Sequence, residues 1–220
     1  MLICGIDEAG RGPVIGPLVL AGVCIEEEKI AELEKLGVKD SKLILPSKRK
    51  ELFDKIISLA KSYKIIKVEA QEIDSRSNVG LNINLLEALK CAEIVDALRP
   101  EIAYVDSPTS PRASKFSELI CAKLKNKHVK VISEHKADTK HLVVGAASIL
   151  AKVTRDDEIE KIKKQVGFNF GSGYPSDERT MKFLEEHWET TLANYIRKSW
   201  GTIKELKKKK YQVTLEVFDQ

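Results

Sequence analysis

The 220-residue sequence predicts an α/β fold, a sheet flanked by helices with a smaller helical region following it, and three features carry that prediction. Short branched apolar segments alternate with segments of helical period. Several of the apolar segments end on a carboxylate. Past Gly167 the alternation stops at a loop rich in Gly and Phe, and only short helical patterns follow. A hydrophobic share of 43% with 32% charged residues excludes disorder, and the lack of a long uncharged apolar run excludes a transmembrane helix. Asp7 and Glu8 stand where a signal peptide would carry its apolar core, so the expected location is the cytoplasm. A net charge of +4 permits a polyanionic partner without requiring one. Cys4, Cys24, Cys91 and Cys121 lie far apart in apolar segments with no metal-ligand spacing, and read as buried free thiols.

Residues 2–6 and 18–25 are the first two strands, joined by a turn that holds Asp7, Glu8, Gly10, Arg11 and Gly12. Neighbouring side chains of a strand point to opposite faces, so Asp7 and Glu8 converge on one ligand if the backbone leaves the strand at Glu8. Otherwise the segment is an acidic and basic hairpin turn. Residues 26–37 have helical spacing and stop at a glycine. Lys42, beside Ser41 in the next loop, either holds a phosphate or is solvated surface. Pro46 opens a helix with Leu52, Phe53, Ile56 and Ile57 on one face. Residues 63–70 form the third strand and 84–98 a long helix ended by Pro100. The fourth strand ends at Asp106, which either caps a Pro-rich loop or meets Asp7 in the crevice at the carboxyl ends of the strands.

A helix over 113–125 and a fifth strand over 129–134 lead to Asp138. The helix from 142 to about 164 is almost entirely small or apolar in its first half, hence buried. Ser148, Lys152 and Arg155 share one of its faces, which points to a polar site or to the edge of the core. Ser176 caps a helix starting at Asp177, and short helices follow over 192–197 and 202–209. Tyr174, in a Gly-rich loop, stacks on a sugar or base or else anchors its own turn. The lysine run 207–210 reads as a solvated helix end.

The segments Asp7-Glu8-Ala9-Gly10-Arg11-Gly12-Pro13, Val105-Asp106-Ser107, Lys136-Ala137-Asp138, Ala147-Ser148-Ile149-Leu150-Ala151-Lys152-Val153 and Gly171-Ser172-Gly173-Tyr174-Pro175-Ser176-Asp177 together resemble ribonuclease HII, the type 2 ribonuclease H family. The resemblance spans about residues 2–180 in motif order, and the length and tail are similar to archaeal members. It implies a ribonuclease H-like five-stranded mixed sheet in a catalytic domain over 1–172, a substrate-binding helical region over 173–211 and a tail over 212–220. The implied enzyme is a monomeric endonuclease that hydrolyses the RNA strand of RNA/DNA hybrids and cuts 5′ of ribonucleotides embedded in duplex DNA. It would leave 3′-hydroxyl and 5′-phosphate ends and serve primer and ribonucleotide removal in replication and repair.

Carried onto matching positions, the resemblance makes Asp7, Glu8, Asp106 and Asp138 the metal-binding catalytic set. Gly10, Arg11 and Gly12 would recognise the 2′-hydroxyl side of the ribonucleotide, Tyr174 would stack on the sugar at the RNA-to-DNA junction, and Lys42, Ser148 and Lys152 would hold phosphates. Asp156 and Asp157 rival Asp138, which is preferred because it follows a strand within Lys-Ala-Asp. Carboxylates crowded into one crevice repel one another unless divalent cations neutralise them, and hard oxygen ligands select Mg²⁺ or Mn²⁺. A different metal-dependent phosphoryl hydrolase would leave Gly10, Arg11, Gly12 and Tyr174 without purpose. A silent hybrid-binding module would be weakened by the concentrated negative charge.

Residues 212–220 resemble the peptide by which replication and repair enzymes dock on the sliding clamp PCNA, with Gln212, Leu215 and Phe218 at i, i+3 and i+6. Asp219 stands where a second aromatic is common. The alternation of Val213, Leu215 and Val217 with polar neighbours fits a terminal strand instead.

Overall fold

Strand β1 (Leu2–Ala9) is the axis of the sheet: β2 (Leu18–Glu26) pairs with it antiparallel and β4 (Ile102–Asp106) parallel. Strand β5 (Lys130–Glu134) adds parallel to β4, and β3 (Ser62–Val68) flanks β2, giving the order β3-β2-β1-β4-β5. This is the five-stranded mixed sheet that the resemblance implies. The computed structural model describes residues 1–38, 44–108, 113–189 and 194–218, and their packing divides into two units.

The first unit comprises Met1–Ala9, Leu18–Lys67 and Asn82–Asp156. Nearly every residue of β1 and β2 is buried, which is why these strands read as continuous apolar runs and not as alternating ones. Helix α1 (Ile30–Leu36) follows a short 3-10 turn at Glu27–Lys29 and ends at Gly37, whose φ of 79° suits the left-handed cap. Helix α2 (Pro46–Leu59) has Pro46 in its first turn. Side chains of α2 (Leu52, Ile56), the strands (Ile3, Val19, Val23) and the first half of α7 (Leu142–Val166: Val143, Val144, Ala147, Leu150) share one aliphatic core. Gly5 lets α7 approach β1 directly: a Cβ there would lie 2.1 Å from the Val143 carbonyl carbon. Helix α4 (Ile83–Leu98) is capped by the Asn82 side chain, which accepts the Leu85 N–H at 2.9 Å, and α5 (Ala113–Lys123) follows β4.

The second unit comprises Gly10–Pro17, Val68–Leu81 and Asp157–Gln220. Its core joins Val14 and Ile15 to Ile159, Ile162, Phe170, Phe183, Ile196 and Ile203. Helix α3 (Ala70–Asn78) stands where no element is expected from the pattern, α8 (Glu178–His187) is capped by Asp177 and not by Ser176, and α9 runs over Gly201–Phe218. Two readings of the C-terminal segment are corrected. Ile196 pairs as an isolated antiparallel bridge with Ile15 and so is extended, not helical, while residues 190–193 lie outside the described residues. The terminal-strand reading fails because the backbone is helical through Phe218. The lysine run is not simply solvated either: Lys207 and Lys210 lie 5.4 and 5.9 Å from the Trp188 ring centroid, and Lys210 pairs with Glu189. Among the described residues no helix is long and apolar enough to cross a membrane.

Candidate active site

Asp7 and Glu8 lie inside β1, which continues to Ala9; the backbone turns away at Gly10, with φ of 81°, two residues later than the sequence suggested. Their carboxylates nonetheless converge. Asp7 Oδ1 accepts the N–H of Glu8 at 2.8 Å, so the Asp7 carboxylate is bent toward the next residue and not held square to the sheet. Parallel register pairs Ile6 with Val105, which brings Asp106, one step on, beside Asp7. One ligand oxygen each from Asp7, Glu8 and Asp106 lies within 4.8 Å of the others, the spacing of a cation site. Asp106 Oδ1 in turn accepts the Ala137 N–H at 2.6 Å, tying β4 to the short helix α6 (Ala137–Lys140). Asp138, the next residue, is buried but is not in the three-carboxylate group among the described residues.

Burial, and then the charge of Asp106, push the Asp7 carboxyl up to about 7; the Ser148 hydroxyl, the Glu8 amide and Lys152 oppose them. These last groups form a chain, in which Lys152 Nζ donates to Ser148 Oγ at 2.7 Å and Ser148 bonds Asp7. Ser148 is wholly buried, so α7 turns a polar face to the carboxylates where the rest of its first half is apolar. Arg155 meets Asp156 at 3.3 Å, and Arg49 approaches Asp156 at 3.6 Å. Asp156 is thereby committed to cations on the surface.

In the second unit, Gly173 O accepts the N–H groups of Val14 and Ile15 at 2.8 and 3.3 Å, stitching the loop at 10–17 to the loop that carries Tyr174. Tyr174, 37% exposed, lies against Gly12; a Cβ on Gly12 would be 3.4 Å from Tyr174 Cε1. Asp177 braces this loop, accepting Ser172 N–H at 2.8 Å and Arg179 N–H at 3.1 Å. Its carboxylate fills the space of a Gly171 Cβ, and hydrogen bonds, first from Arg179, hold its carboxyl well below the usual carboxylate range.

Arg197 and Trp200 went unnoticed in the sequence. Arg197 is completely buried and donates to the carbonyls of Gly10 (2.6 Å), Arg11 (2.9 Å) and Gly16 (3.0 Å), while Trp200 Nε1 donates to Gly12 O at 3.2 Å. The one available signal was an arginine directly after the apolar pair Tyr195-Ile196. Lys42 lies outside the described residues, and Gln212, Leu215 and Phe218 are placed by backbone alone, on α9.

The family model described as Ribonuclease HII matches residues 4–203. The ribonuclease HII of Pyrococcus furiosus is 49% identical over 226 residues, covering 99% of this chain and 98% of the relative. The crystal structure of the ribonuclease H2 from Pyrococcus horikoshii OT3 is similar at a TM-score of 0.86 and 43% identity, covering 95% of this chain and 98% of its own. RNase HII in the structure of its complex with PCNA from Archaeoglobus fulgidus gives 0.81 and 41%, covering 91% and 95%. Carboxylates on the ends of adjacent parallel strands, in a chain matched along nearly all its length at such identities, leave one conclusion: the chain belongs to the ribonuclease HII family and is a type 2 ribonuclease H, an endonuclease of RNA/DNA hybrids.

Proposed function

We propose that this enzyme also cuts duplex DNA 5′ of embedded ribonucleotides, leaving 3′-hydroxyl and 5′-phosphate ends, and that Asp7, Glu8, Asp106 and Asp138 hold the divalent cations it needs. The grouping of three carboxylate oxygens within 4.8 Å carries the reading. Such a group fits a hard dication: three carboxylate oxygens crowd together, and burial, then the charge of Asp106, drives Asp7 toward its protonated form, which a bound dication would reverse. Bound there, Mg²⁺ or Mn²⁺ supplies activation of the attacking water and neutralisation of the departing 3′ oxygen.

The chain's own residues do the rest. Ser148, buried and bonded by Lys152 Nζ, orients the Asp7 carboxylate and joins Lys152 and Lys42 in holding the phosphates. Lys152 and Lys42 balance the charge of the backbone phosphates. Gly10, Arg11 and Gly12 read the 2′-hydroxyl, the feature that separates RNA from DNA, and Tyr174 stacks on the sugar at the junction. The complex of the Archaeoglobus fulgidus relative with PCNA supports docking of this chain on a sliding clamp through Gln212, Leu215 and Phe218. A helical backbone through Phe218 suits a peptide that presents i, i+3 and i+6 to an apolar pocket. The enzyme acts as a monomer in the cytoplasm, in primer and ribonucleotide removal.

The test is cleavage at saturating Mg²⁺ of a duplex containing one ribonucleotide. Asp7→Asn keeps the shape of the strand and removes a ligand charge, so turnover should fall by at least ~1,000-fold, several kcal/mol of barrier, with binding of the duplex retained. Turnover near that of the unaltered enzyme would remove the metal assignment.

A further inference from the structure

The loop that follows β1 is held by its carbonyl oxygens. Arg197 Nη2 takes that of Gly10 at 2.6 Å, Nη1 that of Arg11 at 2.9 Å, and Trp200 Nε1 that of Gly12 at 3.2 Å. No described peptide bond is cis, and in a planar trans peptide the C=O and N–H point in opposite directions. Fixing the carbonyls of Gly10 and Arg11 on the buried side therefore turns the N–H groups of Arg11 and Gly12, which share those two peptides, to the other side. A carbonyl that accepts from a guanidinium also polarises its own peptide and makes the N–H a stronger donor. The third carbonyl belongs to the peptide of Pro13, which has no N–H to aim.

The clamp is itself braced. Two guanidinium groups lie over the Trp200 ring, with Arg197 Cζ 5.0 Å and Arg76 Cζ 5.2 Å from its centroid. Asp74 of α3 accepts the N–H groups of Lys198 and Ser199 at 2.8 and 2.9 Å, pinning the turn between the two clamp residues. A fork of donors at fixed angles does what a flexible ammonium does not: it sets several carbonyls at once.

We propose that Arg197, assisted by Trp200, is the positioning residue for recognition of the ribose, aiming the Arg11 and Gly12 amides at the 2′-hydroxyl by holding the carbonyls behind them. The inference rests on the proposed role of the Gly10, Arg11 and Gly12 loop. Selectivity, measured as a ratio, tests it. Two labelled DNA duplexes that differ by a single 2′-hydroxyl are bound to the full chain without divalent cations, so that neither is cut, and the ratio of the two Kd values is taken. Partial unfolding lowers the active fraction for both probes alike and leaves the ratio untouched.

Arg197→Lys should lower the ratio about tenfold and Trp200→Phe, which keeps the ring and deletes its N–H, about threefold, the loss of one or two hydrogen bonds. If Arg197→Lys does not fold, Trp200→Phe decides. Gly10→Ala, strained at φ of 81°, displaces the loop directly and separates the two layers of the argument. A ratio that collapses in Gly10→Ala but is unchanged in the clamp variants overturns the clamp alone. A ratio unchanged in Gly10→Ala, or near one in the unaltered enzyme, overturns the reading of the loop and the clamp with it.

Discussion

In the first unit the carboxylates sit on strands, locked by ladder hydrogen bonds and by an aliphatic core drawn from β1, β2, α2 and the first half of α7. In the second, the loop at 10–17 has one isolated bridge and backbone bonds from Val14, Ile15 and Gly16 to Gly173 and Tyr195, while the carbonyls of Gly10, Arg11 and Gly12 are held by the side chains of Arg197 and Trp200. Metal ligands must be fixed to a fraction of an ångström, and strands fix them so. A loop proposed to read a hydroxyl needs exposed amides, which no ladder leaves available, and over Gly10–Gly12 its order comes from side chains. The two arrangements predict different responses to small changes.

The largest contrast is between two glycines. A Cβ at Gly5 would meet the Val143 backbone at 2.1 Å, and backbone at a helix start cannot step aside; a Cβ at Gly12 would meet only the Tyr174 ring at 3.4 Å. Gly5→Ala should destabilise by about 3 kcal/mol or more, and Gly12→Ala by no more than about 0.5 kcal/mol. Chemical denaturation followed by far-UV circular dichroism compares them, and equal losses would erase the distinction between a packed and a yielding region.

A smaller effect is expected at Tyr174, exposed on its loop. Tyr174→Ala should slow cleavage at an isolated ribonucleotide by about 1–3 kcal/mol of barrier while Tm stays within a degree or two. Normal cleavage with a much lower Tm would make Tyr174 an anchor of its own turn.

The smallest concerns acid. Because the Asp177 carboxyl is depressed in the fold, its contribution is complete above the unfolded value of about 3.9 and is lost progressively as pH falls below that. Both tryptophans, Trp188 and Trp200, belong to the second unit, so fluorescence isolates its response. Asp177→Asn should flatten that unit's acid transition below about pH 4 and leave the curve at neutral pH nearly parallel; an unaltered acid limb would show that Asp177 is not part of it.

What was legible in the sequence follows the same divide. Apolar runs ending on Asp7 and Asp106 announced two strands and a carboxylate site, because strand burial and strand ends are local properties of the chain. The buried helix and its polar Ser148 and Lys152 were equally plain. The mode of convergence was not: Asp7 reaches Glu8 by bending onto its neighbour's amide, a rotamer choice that no periodicity encodes. Helix α3 escaped because it buries little, chiefly Ile73, and is otherwise polar. Arg197 escaped because arginine ordinarily signals surface, and the carbonyls that draw it inward come from the far end of the sequence.

That distance gives the protein a calendar. Gly10 and Arg197 are separated by 187 residues, so at synthesis rates of about 5–20 residues per second the loop emerges some 10–40 s before its clamp exists. The strands, the three carboxylates and the Ser148 and Lys152 relay are all encoded before residue 153, and can assemble while the loop is still untethered. On the roles proposed above, a nascent chain acquires the carboxylates that would hold the cations well before Arg197, which orders the loop that would choose the ribose.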